Sequence, residues 1–96
     1  MGGAIPSTRA IKTFMYYVYL LRSDKDKKFY IGYTSSLTLR FKEHSEGLVN
    51  STKHRKPLQL VYYESYNSKD LATERETQLK KFGSAYASLL KRLGFK

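Results

Sequence analysis

The chain is 96 residues long, has no cysteine, and sets eighteen Lys and Arg against eight Asp and Glu for a net charge of +10. That length suits one domain with a modest core, and the missing cysteines exclude a disulfide framework, a thiolate nucleophile and a thiolate zinc site. No apolar run approaches the roughly 18 residues of a membrane span, and a domain with a pI near 9.9 is expected to bind polyanions, nucleic acid foremost.

Residues 1–14, MGGAIPSTRAIKTF, follow neither a helical nor a strand period and mix Gly, Pro, Ser and Thr. They are expected to be a disordered leader, and they lack the apolar stretch of a secretion signal. The rest, 15–96, reads as a single domain, with a monomer in a reducing cytoplasm as the default expectation.

Two aromatic and β-branched runs follow, Tyr16 to Arg22 and Lys28 to Tyr33, joined by the polar turn Ser23-Asp24-Lys25-Asp26. Pairing Arg22 with Lys27 would set Tyr19 opposite Tyr30. Period-two alternation then puts Tyr17, Tyr19, Leu21, Tyr30 and Gly32 on one face and Val18, Leu20, Phe29 and Ile31 on the other. The second set reads as core. The first presents phenols beside a glycine that permits close approach to the backbone.

A helix is expected from Ser36 to Glu46, stopped by Gly47 at C′, with Leu37, Phe41 and Leu48 marking its inward stripe. Arg40 and His44 share that stripe, so each must either find a partner or snorkel to water at its edge. The basic loop LVNSTKHRKP then sets Lys53, His54, Arg55 and Lys56 in a row before Pro57, which favours extended backbone at Lys56. Lys53, Arg55 and Lys56 are candidate phosphate contacts, with a solvated loop as the alternative. Gln59 to Glu64 is a third strand, completing a small antiparallel sheet.

The second helix is expected from Lys69 to Phe82, capped by Asn67 or Ser68, with Gly83 at C′ and apolar positions at Leu71, Ala72, Leu79 and Phe82. Glu76 points along the buried side and Glu74 away from it. An inward carboxylate is normally paired with a cation or a metal, and Arg75 is the ordinary ion-pair candidate. Ser84 is the expected cap of a last helix whose Tyr86, Leu89, Leu90 and Leu93 form a packing stripe. No acid follows Glu76, so Lys80 and Lys81 extend the positive surface as further nucleic-acid contacts.

The pair Tyr17-Val18-Tyr19 and Tyr30-Ile31-Gly32 resembles the two motifs of the GIY-YIG nuclease superfamily. TSSLTLRFKEH resembles the family's helix, its arginine falling at Arg40 and its histidine at His44. STKHRKPLQLVYYE and ATERETQLKKFG are similar to small stand-alone bacterial members, relatives of the nuclease domain of the excision-repair C subunit. The resemblance runs from Met15, a candidate native start, to the C-terminus. One departure is Tyr17, which stands where the first motif's glycine would be.

The resemblance implies an α+β fold, a three-stranded antiparallel sheet flanked by helices, with the site on the face of Tyr19 and Tyr30. It implies a hydrolase: a metal-dependent endonuclease on DNA, RNA not excluded, with repair or recombination intermediates as candidate substrates. Glu76 would hold one Mg²⁺ or Mn²⁺, a cation that binds through few carboxylates and keeps its waters. Arg40 would hold the scissile phosphate, Tyr30 would be the base, Tyr19 would orient water or base, and His44 would assist proton transfer, the last three roles being interchangeable. Two alternatives stay open. Nine tyrosines and five phenylalanines on a basic domain suit a non-catalytic binder of single-stranded nucleic acid, and the fold can also survive as an interaction module.

Overall fold

The computed structural model describes residues 14–95, in the order β1 (Tyr16–Ser23), β2 (Phe29–Thr34), α1 (Leu37–Ser45), β3 (Leu58–Tyr66), α2 (Lys69–Lys80) and α3 (Ser84–Arg92). Apart from Phe14, the leader expected over 1–14 lies outside the described residues. The strands form one antiparallel sheet in the order β2-β1-β3, so β1 is central and pairs on both edges.

The hairpin register differs from the expected one. Arg22 pairs with Phe29, Leu21 with Tyr30, and Tyr19 with Gly32. The cause lies in the turn: Ser23 belongs to β1 and receives the Lys27 N–H at 2.8 Å, while Lys27 adopts a left-handed φ of 62°. The loop therefore starts one residue later than the polar run suggested. The shift moves each partner by two residues, which leaves every side chain on its expected face.

β3 changes face within its own length. Leu20 pairs with Tyr62 but Leu21 with Leu60, leaving Val61 as an extra residue on β3. This bulge reverses the alternation. Leu58 and Leu60 join Leu21 and Tyr19 on one face, while Tyr62 and Tyr66 pack with Val18 and Leu20 on the other.

Both faces are covered, unequally. α2 and α3 lay Ala72, Leu79, Leu89 and Leu90 on Val18, Leu20 and Ile31, making a cluster of seven buried residues. On the other face α1 brings Leu37 and Phe41 against only three, Tyr19, Leu21 and Leu58. At about 1.5–3 kcal/mol per buried large side chain, the α2–α3 face supplies most of the hydrophobic stabilisation. The α1 face has room for polar groups.

The helix ends show which expectations were local. After α1, Gly47 turns left-handed at φ 77°, its N–H reaches the His44 carbonyl, and the Leu48 N–H reaches Glu43. That is a Schellman stop at the expected glycine. It swings Leu48 outward, so the inward position expected for Leu48 is taken by Val49. α2 begins as expected, with the Ser68 hydroxyl accepting the Leu71 N–H, but its left-handed C′ residue is Phe82 at φ 55° and not Gly83. Leu71 and Phe82, both expected inward, are exposed, Phe82 because the left-handed turn carries it off the helix. Ser84 does not cap α3; Gly83 holds the N-cap position without a side-chain bond.

Candidate active site

Three elements build a polar cluster on the α1 face. β1 supplies Tyr19 and β2 supplies Tyr30, with ring centroids 6.3 Å apart. α1 supplies Arg40 and His44, one turn apart. The His44 ring stands edge-on to both phenols, 5.6 Å from Tyr19 and 5.1 Å from Tyr30.

Gly32 is what lets Tyr19 lie there. A β-carbon at residue 32 would fall 2.2 Å from the Tyr19 ring. The group that approaches the glycine closely is thus the phenol of the neighbouring strand.

His44 does not snorkel. It is fully buried, with Nε2 2.8 Å from Tyr19 Oη and Nδ1 2.7 Å from Thr52 Oγ1. Burial first, and the Arg40 charge second, push its pKa down to about 4. The ring is therefore neutral and has one N–H. Either Tyr19 donates to Nε2 while Nδ1–H donates to Thr52, or both bonds run the other way. Both arrangements satisfy the two nitrogens and leave neither for a metal.

Burial also raises the Tyr19 phenol to about 12, against the nearby Arg40 guanidinium, which favours the phenolate. Tyr30 is more open to solvent than Tyr19. Arg40 is part-exposed and pairs with Glu43 at 3.0 Å, a contact that raises its own pKa further. A single i,i+3 pair at the surface is worth only tenths of a kcal/mol, so Glu43 is readily exchanged for a stronger anion.

Glu76 reaches the same region from α2, which packs against both β1 and β2. Its carboxylate is close enough to add to the potential opposing ionisation of Tyr19. It does not pair with Arg75, whose guanidinium goes to Glu64 at 2.7 Å. Its partner is Lys80, one turn on, at 3.0 Å. Among the described residues no three His, Asp or Glu side chains gather into a metal cluster. A lone hard carboxylate fits a hydrated Mg²⁺ or Mn²⁺ and does not fit zinc, which wants three or four protein ligands.

The remaining basic residues are dispersed. Lys53 and Lys56 are exposed on the loop before β3, after which the Lys56–Pro57 peptide is cis. Arg55 is tied to Asp26 at 2.9 Å, a bond that draws the Asp26 carboxyl down to about 2. The Ser23 hydroxyl holds the Arg55 carbonyl at 2.6 Å, fastening this loop to the hairpin. Lys80 is engaged with Glu76, and Lys81 is exposed.

Thr52 was invisible in the sequence. It lies in a charged loop, eight residues past His44, and no period links the two. Its one signal is a β-branched hydroxyl among Lys, His and Arg, which becomes meaningful only once the loop folds back over α1.

An antiparallel hairpin that lays a motif tyrosine on a motif glycine, followed by a helix bearing Arg and His, defines a GIY-YIG catalytic domain, and the chain belongs to that family, matching it over residues 15–87. It is similar to the UPF0213 proteins. One from Staphylococcus haemolyticus is 40% identical over 68 residues, covering 70% of this chain and 82% of the relative. Another from Clostridium perfringens is 41% identical over 68 residues, covering 70% and 72%. The solution structure of a UPF0213 protein from Bacillus halodurans is 31% identical, with a TM-score of 0.53 over 83% of this chain and 85% of that one. Nucleases of the GIY-YIG family generally use a divalent metal ion. Among the described residues no helix is long and apolar enough to cross a membrane.

Proposed function

We propose that the protein is a metal-dependent endonuclease that hydrolyses phosphodiester bonds in DNA, working in the cytoplasm. The observation that carries this reading is the convergence of Tyr19, Tyr30, Arg40 and His44 on one face, with Glu76 brought alongside by α2.

Arg40 binds the scissile phosphate, exchanging Glu43 for it and offering planar, permanently charged N–H groups. Glu76 would hold the cation in place of its present partner Lys80. A divalent ion bound there would stabilise charge on the phosphate as the bond breaks. Tyr30, the phenol more open to solvent, takes the proton from the attacking water. Tyr19 is unsuited to that role, because burial holds its proton up to about 12. It orients the water, and His44, fixed from behind by Thr52, holds the Tyr19 hydroxyl in place. Lys53, Lys56 and Lys81 add salt-sensitive contacts to flanking phosphates. The ion is Mg²⁺ or Mn²⁺, and the working unit is a monomer.

The test is a panel of labelled DNA and RNA substrates incubated with Mg²⁺, with Mn²⁺ and with chelator, alongside Glu76→Ala and Tyr30→Phe. Metal-dependent cleavage lost in both variants, with binding retained, establishes the nuclease. Tight binding in chelator with no cleavage of any substrate replaces it with a single-strand binding module, for which the exposed Tyr63, edge-on to Tyr17 at 6.0 Å, offers a stacking surface.

A further inference from the structure

A second polar cluster lies across the sheet from Tyr19, where α2 and α3 meet the β3 edge. Arg75, Ala85, Ser88, Leu89 and Arg92 line a cavity of about 190 Å³ there. Neither motif nor charge pattern singled it out, and the hydrolytic chemistry makes no use of it.

The charges around this cavity do not balance. Glu64 is saturated: Arg75 Nε donates to it at 2.7 Å and Nη2 at 3.4 Å, Tyr62 Oη at 2.5 Å, and Tyr66 Oη donates to the same carboxylate. Burial would raise that carboxyl, but these donors outweigh it and hold Glu64 below the usual range. Arg92 has no acidic partner among the described residues. It donates Nη2 to Tyr62 Oη at 2.8 Å and lies over that ring at 5.5 Å, which fixes the guanidinium and leaves its other N–H groups without an acceptor among the described residues. Two guanidiniums against one carboxylate leave a surplus of one positive charge at the cavity.

α3 builds one wall of the cavity: Ala85, Ser88 and Arg92 follow one another along its length, and Ser88 brings a hydroxyl between the small alanine and the guanidinium.

We propose that this cavity is an anion site for a phosphate group, held by the Arg92 fork, the Ser88 hydroxyl and the outer edge of Arg75. Its volume falls below the roughly 300–1,000 Å³ of pockets that enclose a whole drug-sized ligand. It takes the phosphate itself, and whatever bears the phosphate stays outside. A planar fork beside a hydroxyl selects a tetrahedral oxyanion over chloride. The site is independent of the cleavage chemistry: Arg75 lines this cavity and pairs with Glu64, while its neighbour Glu76 pairs with Lys80 and acts on Tyr19.

The experiment is a titration of the full chain with inorganic phosphate, followed by amide and arginine side-chain NMR against chloride at equal ionic strength. Saturable shifts centred on Ala85, Ser88 and Arg92 are expected, weakened at least tenfold in Arg92→Gln and in Ser88→Ala, and unchanged in Arg40→Gln. Arg92→Lys, which keeps the charge and loses the fork, should fall between; thermal melts of each variant check the fold. Unsaturable shifts scattered over the lysines, or shifts indifferent to Arg92→Gln, overturn the proposal. Competition separates the sources: a 5′-phosphorylated oligonucleotide that displaces phosphate better than its 5′-hydroxyl twin identifies a strand end. Equal displacement by inorganic phosphate and a nucleoside monophosphate identifies a small free ligand. Binding is read without turnover, so the outcome stands whatever the cleavage assay gives.

Discussion

Glu64 on β3 and Glu76 on α2 each lie near a tyrosine and an arginine, and the two are held in opposite ways. On the α2–α3 face, Glu64 is gripped by Arg75 and two phenols, so every lone pair it presents is engaged. Glu76, near enough to Tyr19 to oppose its ionisation, has a single flexible partner, Lys80, which is half in solvent. The same residue types thus make a strut in one place and an open valence in the other. A carboxylate becomes available for chemistry when its partners are few, exchangeable and exposed.

The sharpest way to break that contrast is to neutralise each acid in turn. Glu76→Gln is expected to lower cleavage by at least about 10³-fold, some 4 kcal/mol of barrier, while stability moves by under about 0.5 kcal/mol, the worth of an exposed i,i+4 pair. Loss of folding in that variant would make Glu76 a second strut.

Next in size is the effect of acid on the buried imidazole. The folded pKa of His44 is depressed to about 4, below the ordinary 6.5, so between those values the unfolded chain binds the proton and the folded chain does not. Stability is then complete above about pH 6.5 and declines towards pH 4, by about 3 kcal/mol in all. Chemical denaturation at pH 7, 5.5 and 4.5 measures it. The slope should flatten in His44→Gln, and an unchanged slope there would assign the pH dependence to other groups.

Glu64→Gln is the mirror of the first test. It is expected to cost about 2–3 kcal/mol of stability, the scale of lost charge-assisted bonds, with cleavage by the folded fraction preserved. A folded Glu64→Gln that cannot cut would erase the division between the two acids. The smallest effect belongs to Thr52→Val, which strands one His44 nitrogen at a cost of about 1–2 kcal/mol. Thr52→Ser should restore it; failure of the serine would mean that the methyl group, and not the hydroxyl, supports the ring.

Much of this was legible in the sequence because it depends on parity. The two faces of the hairpin follow from period two, and a register two residues away from the expected one, Tyr19 opposite Gly32 instead of Tyr30, leaves them intact. The α1 stop at Gly47 is a local signal and appears where it should. What was not legible depends on partners distant in the chain. Val61 is one strand residue among others until β1 pairs on both sides of it. Arg75 looked like the natural mate of Glu76, yet adjacent helical residues point apart, and Glu64, eleven residues earlier, lies within its reach. His44 on an apolar stripe allowed two fates, and the choice was made by Thr52, whose loop folds back over the helix.

The contact between Tyr19 and Gly32 has a consequence for how the hairpin can vary. The ring and the bare α-carbon are lock and key on adjacent strands, so alignment of β1 with β2 is enforced from the middle of the ladder outward. The turn at residues 24–27 is correspondingly relieved of that duty. Loops of other lengths and compositions can be spliced between these strands without sliding one along the other, whereas a single methyl group at residue 32 would unseat the phenol, and with it the imidazole behind it.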